Sequence, residues 1–143
     1  MADIVTSEIR SRMMSGIRAK NTKPEITLRR LLHAEGFRFR LHQNLPGRPD
    51  LVFRKRRAVI FVHGCFWHRH ECSIFKWPST RAEFWRTKIN GNALRDEKNI
   101  GLLLADGWRV SVVWECALRR DARKTARRCA AWLKGSRRTL TVD

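Results

Sequence analysis

The segment Asp50–Val62, with the sequence DLVFRKRRAVIFV, decides the fold. It contains two apolar runs, Leu51–Phe53 and Ala58–Val62, which are rich in the β-branched and aromatic residues typical of strands. The basic residues between them, Arg54–Arg57, interrupt the apolar pattern as a solvent-exposed turn does. The segment therefore predicts a β-hairpin.

The residues upstream of this hairpin predict a helix and a short strand. Thr22–Glu25 has the pattern of a capping box, in which the Thr and Glu side chains bind backbone N–H groups, with Pro in the first turn. Apolar residues at helical spacing follow, and Gly36 ends the helix. Phe37–Leu41 alternates apolar and basic residues, which favours a half-exposed strand. Further upstream, Ser7–Arg18 predicts a short basic helix.

The residues downstream predict two more helices and a strand. A long helical region runs from Thr80 to Asp106, with a bend expected at Gly91, and Gly107 ends it. Trp108–Trp114 has the composition of a strand, and Asp121–Lys134 predicts the last helix. The order α-α-β-β-β-α-β-α indicates an α/β fold with a small mixed β-sheet flanked by helices.

The chain has 143 residues, enough for one hydrophobic core and too few for two. We therefore expect one domain over residues 1–143, in which residues 1–20 form a basic helical arm. Lys and Arg number 31 against 13 acidic residues, a net charge of +18 that a compact fold cannot neutralise internally. Such an excess indicates a polyanionic partner, and nucleic acid is favoured over a merely soluble basic surface.

A membrane partner is the weaker interpretation of this charge, and we expect no membrane association. No apolar run in the sequence approaches the roughly 18 residues of a membrane span. The N-terminus lacks the apolar core of a signal peptide, which favours a cytoplasmic protein. Cysteines in that compartment are kept reduced, so metal binding is a better interpretation of them than disulfides.

A Cys/His cluster occupies residues 63–72, and a further cysteine follows the Trp108–Trp114 strand. A structural zinc ion takes four tetrahedral S or N ligands, for which the candidates are Cys65, His70, Cys72 and Cys116. The spacing leaves the choice open, because His63 or His68 could replace His70 and because free thiols remain an alternative. Cys129 lies in the apolar stripe of the last helix and is expected to be an inert core residue.

Asp50 follows Pro49 at the start of one hairpin strand and faces the end of the other, at Val62 and His63. A Mg²⁺ ion needs only one or two protein carboxylates beside water and phosphate oxygens. Such an ion would polarise a phosphate while a nearby His accepted a proton from water. Pro-Asp alone is weak support, since Asp is also a common turn residue.

Four segments resemble the very short patch repair endonucleases. They are LPGRPD (45–50), VIFVHGCFWH (59–68), TRAEFW (80–85) and WRVSVVWECAL (108–118). The resemblance implies a restriction-endonuclease-like fold, a structural zinc ion and Mg²⁺-dependent hydrolysis. It also implies nicking of one strand 5′ to the T of a T·G mismatch that arises when 5-methylcytosine is deaminated.

The resemblance also assigns residues. Asp50 would bind Mg²⁺, and the catalytic shell would comprise Asp50, His63, His68 and Glu25. Val62 stands where the best-known members have Thr, so only its backbone carbonyl could reach the Mg²⁺. The zinc ligands would be Cys65, His70, Cys72 and Cys116. Two roles have alternatives: a role for Glu25 in the capping box alone, and a role for His68 in bracing the zinc loop.

Recognition of a mismatch requires side chains that enter the base stack. The candidates are Phe66, Trp67 and Trp85, large apolar groups set among Lys and Arg. We expect Phe66 and Trp67 to be partly exposed, because adjacent residues in one loop rarely face one interior. Trp85 has an alternative as a helix anchor. The remaining tryptophans, Trp108, Trp114 and Trp132, are assigned to the core.

Lys88 and Asn92 are four residues apart on one helix face. They match positions that contact the G·T pair in the family; without the resemblance they would be ordinary surface residues. The expected partner is double-stranded DNA bound by a monomer. Two other functions share these features: a type II restriction-like endonuclease, and a non-catalytic zinc module that binds DNA.

Overall fold

A computed structural model describes residues 21–143, so the predicted helix Ser7–Arg18 and the basic arm at 1–20 lie outside the described residues. The elements within that range, in chain order, are α1 (Lys23–Ala34), β1 (Arg40–Leu41), β2 (Leu51–Phe53), β3 (Ala58–His63), α2 (Ala82–Ala105), β4 (Arg109–Trp114), α3 (Glu115–Lys134) and β5 (Thr139–Val142). The predicted α/β class is confirmed.

The strands form one mixed sheet in the order β1-β2-β3-β4-β5. The predicted hairpin is confirmed: β2 and β3 pair antiparallel around a 3₁₀ turn at Arg54–Arg56, with Arg57 in the left-handed region. Strands β3, β4 and β5 run parallel, and Val62 lies opposite Val113. Strand β3 is therefore central, and its C-terminal end is flanked by β4 on one side and the start of β2 on the other.

The two faces of the sheet carry separate apolar cores. Ile60 of β3 packs with Leu28 of α1 and with the apolar stripe of α3. Phe61, the next residue along β3, packs on the opposite face with Leu103 of α2 and with Trp108. Successive strand residues point to opposite faces, and both faces of β3 are covered. This is why its sequence is a continuous apolar run without polar alternation.

Several boundaries differ from the sequence prediction. The strand expected over Phe37–Leu41 is limited to Arg40–Leu41, and α2 continues through Gly91. The last helix gains the segment Glu115–Arg120 before a non-helical residue at Asp121, where the predicted helix begins. Strand β5 was not predicted; among residues 21–143 it pairs with β4 alone at the edge of the sheet, and its short alternating pattern is weak.

Candidate active site and metal centre

Asp50 lies immediately before β2 and reaches across to the end of β3. Its Oδ2 accepts a hydrogen bond of 2.6 Å from the backbone N–H of Val62. The approach to Asp50 is fixed by Gly47, which has φ +75° and packs closely; a Cβ there would lie 3.1 Å from both Phe61 and Asn99. The hairpin thus holds the carboxylate against β3, as the sequence predicts.

Glu25 brings a second carboxylate to Asp50 from α1. Glu25 is 1% exposed, and its Oε1 accepts a 3.0 Å hydrogen bond from the backbone N–H of Asn21. Its Oε2 accepts a 3.0 Å hydrogen bond from Arg29. The predicted capping box was therefore wrong in detail: Glu25 binds the N–H of Asn21 instead of that of Thr22. One carboxylate thus both fixes the backbone at the start of α1 and faces the site.

His42 is the third member of this group, and the sequence prediction missed it. Its Nε2 lies 2.9 Å from Oε2 of Glu25 and 3.8 Å from Oδ1 of Asp50. The donor atoms of Glu25, His42 and Asp50 all lie within 4.8 Å of one another, a geometry that could hold a metal ion. We call these three residues the carboxylate group.

Burial changes the acidity of Asp50. Its pKa is raised from 3.8 to about 7 by desolvation, although the Val62 hydrogen bond lowers it, and the nearby Glu25 raises it further. Asp50 therefore holds a proton more readily than an exposed Asp does. A divalent cation would replace that proton, because carboxylate oxygens are the ligands that Mg²⁺ prefers.

His63 and His68 form a separate pair beside the end of β3. Their rings stack with centroids 3.8 Å apart, and Nδ1 of His68 lies 2.5 Å from Oδ2 of Asp96. Burial lowers the pKa of His63, and the neighbouring His68 lowers it further, so His63 is held neutral. The sequence prediction named both histidines but missed Asp96, which lies on α2. His63 is therefore grouped with His68 and Asp96, whereas the preceding residue, Val62, contacts Asp50 through its backbone N–H.

A soft-ligand cluster, defined by Cys65, His70, Cys72 and Cys116, lies at the start of α3. The donor atoms of all four lie within 4.8 Å of one another. Nδ1 of His70 lies 3.5 Å from Sγ of Cys116, and its Nε2 lies 3.6 Å from Oδ2 of Asp143. A metal-bound His commonly directs its other nitrogen toward a carboxylate in this way. The four predicted residues therefore form a group that could bind metal.

The thiols of the cluster have unequal acidities. Burial raises the pKa of Cys65 and of Cys116. Burial acts in the same direction on Cys72, but N–H groups of Ile74 and Phe75 outweigh it and lower the pKa of Cys72 to about 7. Three close sulfurs cannot all ionise without a cation among them, and metal coordination deprotonates thiols outright. This donor set fits a soft or borderline metal ion such as Zn²⁺.

Trp114 connects the soft-ligand cluster to the histidine pair, so its assignment to the core alone was wrong. Its ring stacks on His70 with centroids 4.1 Å apart and meets His63 edge-on at 5.2 Å. Trp114 is only partly buried, because it ends β4 at the edge where both sites lie. Its neighbour Glu115 accepts a 3.3 Å hydrogen bond from the backbone N–H of Cys65, which fixes the ligand loop to α3.

The three aromatic residues predicted to enter DNA pack on one another. The ring of Phe66 lies 5.1 Å from that of Trp67 and 5.5 Å from that of Trp85. The expected exposure of Trp67 was wrong: it is 7% exposed, whereas Phe66 and Trp85 are half-buried. Adjacent residues face one interior here because α2 covers the loop. More exposed aromatic rings occur nearby at Trp77 (42%) and Phe84 (40%), which the prediction did not include.

Lys88 and Asn92 differ in environment although they share one helix. Lys88 is half-buried and lines a shallow groove with Phe84 and Arg95. Asn92 is buried; its Nδ2 donates a 3.1 Å hydrogen bond to the carbonyl of Trp67, and its Oδ1 accepts one from Arg95. Asn92 is therefore committed to holding the aromatic loop in the free protein.

These groups can perform phosphodiester chemistry. Buried carboxylates and a neutral His at one sheet edge can activate water and place a cation on phosphate oxygens. The surrounding net charge of +18 attracts a polyanion. The arrangement thus places the protein in the class of nucleases.

Comparison with known proteins identifies the particular family. The sequence model of the family "DNA mismatch endonuclease Vsr" matches residues 2–74. The chain is 44% identical over 148 aligned positions to the DNA mismatch endonuclease Vsr of Escherichia coli (strain K12), covering 100% of this chain and 95% of that protein. It is 51% identical over 119 residues to the type II nicking enzyme V.XorIIP of Xanthomonas oryzae, covering 82% of this chain and 88% of the relative.

A further relative, the type II nicking enzyme V.NmeAIP of Neisseria meningitidis, is 43% identical over 123 residues, 85% of this chain and 88% of the relative. The chain belongs to the Vsr family of DNA mismatch endonucleases, and the resemblance noted in the sequence is confirmed. It is a nuclease. Within residues 21–143, none of the helices has the length and apolar character that crossing a membrane requires.

Proposed function

We propose that this endonuclease nicks one strand of double-stranded DNA, 5′ to the T of a T·G mismatch left by deamination of 5-methylcytosine. The similarity over the whole chain to an enzyme named for mismatch cleavage carries the proposal. We propose further that residues 1–143 act as one restriction-endonuclease-like domain. A monomer suffices, since nicking one strand needs one active site. The proposed location is the cytoplasm, where its DNA substrate lies.

In this proposal Asp50 is the principal ligand of Mg²⁺, with the backbone carbonyl of Val62 as a second. The ion supplies Lewis-acid polarisation of the scissile phosphate and a more acidic bound water. The hydrogen bond from the N–H of Val62 orients Asp50 toward the end of β3. Because this contact uses the backbone, it does not require the Thr side chain that other members carry at position 62.

His63 and His68 act as proton carriers. Burial lowers the pKa of His63, so it is unprotonated near neutral pH and available to accept a proton from water. Asp96 accepts the Nδ1 proton of His68, which leaves Nε2 of that ring for the phosphate or the leaving oxygen. Glu25 completes the polar shell from the side of α1.

The soft-ligand cluster holds a structural Zn²⁺ in this proposal. It joins the loop after β3 to the start of α3, and it fixes Phe66 and Trp67 beside the histidine pair. Base recognition belongs to Phe66, Trp67 and Trp85, with Lys88 and Asn92 contacting the wobble pair. Because Trp67 and Asn92 are buried, their use requires the aromatic loop to rearrange when DNA binds, as happens in a substantial minority of interfaces.

A nicking assay tests the proposal. Purified protein is incubated with matched duplexes containing either T·G or C·G at one position, each with and without Mg²⁺, and both strands are labelled. We expect cleavage of the T strand of the T·G duplex alone, and only with Mg²⁺. Cleavage of both strands of the paired duplex would indicate a restriction-like enzyme. Binding without cleavage under every condition would indicate a non-catalytic module.

A further inference from the structure

Residues 21–143 contain one donor atom at the carboxylate group for which the chemistry above has no use, Nε2 of His42. We propose that this nitrogen is a further protein ligand of the catalytic divalent cation, in addition to Asp50 and the Val62 carbonyl, and that Glu25 faces the same ion from α1. We propose also that it shifts the preference of the site from Mg²⁺ toward cations that accept nitrogen, such as Mn²⁺. This inference rests on the proposed function, because it concerns the cation assigned there to Asp50.

The backbone places His42 beside Asp50 independently of either side chain. Leu41 of β1 pairs with Leu51 of β2, and the next step of this ladder joins the N–H of His42 to the carbonyl of Asp50 at 3.2 Å. His42 also has φ +48°, in the left-handed region that non-glycine residues seldom occupy. Such a backbone persists where the surrounding structure imposes it, and residues of this kind cluster at functional sites.

Nε2 of His42 lies close to carboxylate oxygens but forms no hydrogen bond with them. Nε2 lies 2.9 Å from Oε2 of Glu25, yet among residues 21–143 no acceptor lies in line for a hydrogen bond with it. The nitrogen is shielded from solvent, and a buried polar atom without a partner costs about 1–3 kcal/mol. A cation placed between the imidazole and the two carboxylates would satisfy it.

The charges of the group also leave room for a cation. Among residues 21–143, the guanidinium that contacts Glu25 is that of Arg29, at 3.0 Å. Two carboxyl groups share this one guanidinium, so a bound cation would balance the second carboxylate. The remaining oxygen of Asp50, Oδ1, is the one nearer His42, at 3.8 Å. It therefore faces the imidazole and is available to the same ion.

The donor set determines the preferred metal. Mg²⁺ selects oxygen ligands and retains several waters, whereas imidazole nitrogen suits transition-metal ions. A site of two carboxylates and one imidazole lies between these preferences, and Mn²⁺ accepts both kinds of donor. The imidazole nitrogen would add little to the affinity for Mg²⁺, which selects oxygen ligands. Replacing the nitrogen should therefore weaken Mn²⁺ binding and leave Mg²⁺ binding nearly unchanged.

The test is direct metal binding to zinc-loaded protein, measured by calorimetry with Mn²⁺ and with Mg²⁺ in separate titrations. His42→Gln retains a polar side chain and removes the ligating nitrogen. We expect it to lower Mn²⁺ affinity at least about tenfold, since losing even an outer-shell partner of a metal site costs about that much, and to leave Mg²⁺ affinity nearly unchanged. His33→Gln, an exposed His at the end of α1, is the matched control and should change neither.

Pulsed electron paramagnetic resonance of bound Mn²⁺ detects direct coordination by nitrogen, a signal that would not change if His42 had only a structural role. Hyperfine coupling to one ¹⁴N should be present in the unaltered protein and in His33→Gln, and lost in His42→Gln. Mn²⁺ binding without ¹⁴N coupling, or equal losses of Mn²⁺ and Mg²⁺ affinity, would overturn the inference. Asp50→Asn separates the two proposals: if Asp50→Asn binds both ions as well as unaltered protein does, the proposed Mg²⁺ site itself is wrong.

Discussion

The soft-ligand cluster and the carboxylate group lie near the same edge of the sheet but are built in opposite ways. Three of the four soft ligands fall within residues 65–72, so one loop nearly completes the cluster. The carboxylate group draws Glu25 from α1, His42 from the end of β1 and Asp50 from the start of β2. The first group closes a loop onto α3, whereas the second depends on three elements being packed correctly. In the proposed function, the local group serves the fold and the dispersed group serves the chemistry.

The largest expected effect comes from breaking the soft-ligand cluster. Cys116→Ser should lose the metal and unfold, since structural Zn²⁺ contributes apparent free energies of about 10–16 kcal/mol in small zinc domains. Metal content by elemental analysis and helicity by circular dichroism would measure this. Cys129→Ser is the matched control: Cys129 is buried in the core between α1 and α3 and is not among the clustered donor atoms, so its variant should keep one zinc ion per chain. Equal zinc content in both variants would show that the soft-ligand cluster does not bind the zinc ion.

The next effect separates chemistry from binding at the carboxylate group. Asp50→Ala should lower the nicking rate by at least about 10⁴-fold, or about 5 kcal/mol, because it removes the principal metal ligand. DNA affinity should change little, since phosphate contacts are spread over many basic residues. Asp106→Ala, at the exposed end of α2, is the control and should nick normally. Mg²⁺-dependent nicking by Asp50→Ala above background would contradict the assignment.

The aromatic loop should respond differently at its buried and half-buried positions. Trp67→Ala should lower the free energy of unfolding by about 3–5 kcal/mol, as expected for a core Trp. Phe66→Ala should cost less stability but reduce the preference for T·G over C·G duplexes about 5- to 150-fold, if stacking contributes about 1–3 kcal/mol. Thermal melting and competition binding would measure the two. A Phe66→Ala protein with full mismatch preference would place recognition elsewhere, for example at the more exposed Trp77 or Phe84.

The smallest effect is a pH dependence of stability at Asp50. Its pKa is about 7 in the folded protein against an ordinary 3.8, so the folded state binds this proton more tightly. The contribution of Asp50 to stability is therefore present below about pH 4 and is lost as the pH rises toward 7. Without added Mg²⁺, Asp50→Asn should become more stable than the unaltered protein across this window, by about 1–3 kcal/mol.

Urea denaturation of zinc-loaded protein between pH 5 and pH 8 would measure that difference. Saturating Mg²⁺ should stabilise the unaltered protein and leave Asp50→Asn unchanged, because ligand binding to the folded state alone raises its stability. A difference between the two proteins that does not vary with pH would show that the acidity of Asp50 in solution is ordinary.

The sequence by itself determined the hairpin, the helices α1, α2 and α3, and the family. The hairpin follows from β-branched runs around a basic turn, and the motifs around Asp50 and His63 carried the resemblance that the comparisons confirm. Residue type indicated a metal site among the Cys and His residues but left the ligands open. The resemblance then selected Cys65, His70, Cys72 and Cys116. These conclusions depend on local order along the chain.

Only the tertiary structure decided which distant side chains meet. His42 joins Glu25 and Asp50 because β1 pairs with β2 in one register, and Asp96 meets His68 because α2 crosses the ligand loop. The burial of Trp67 was likewise decided by α2, which covers a loop that local pattern suggested was exposed. Periodicity along a chain shows which face a residue occupies, but the partner on that face is fixed by packing between elements far apart in sequence.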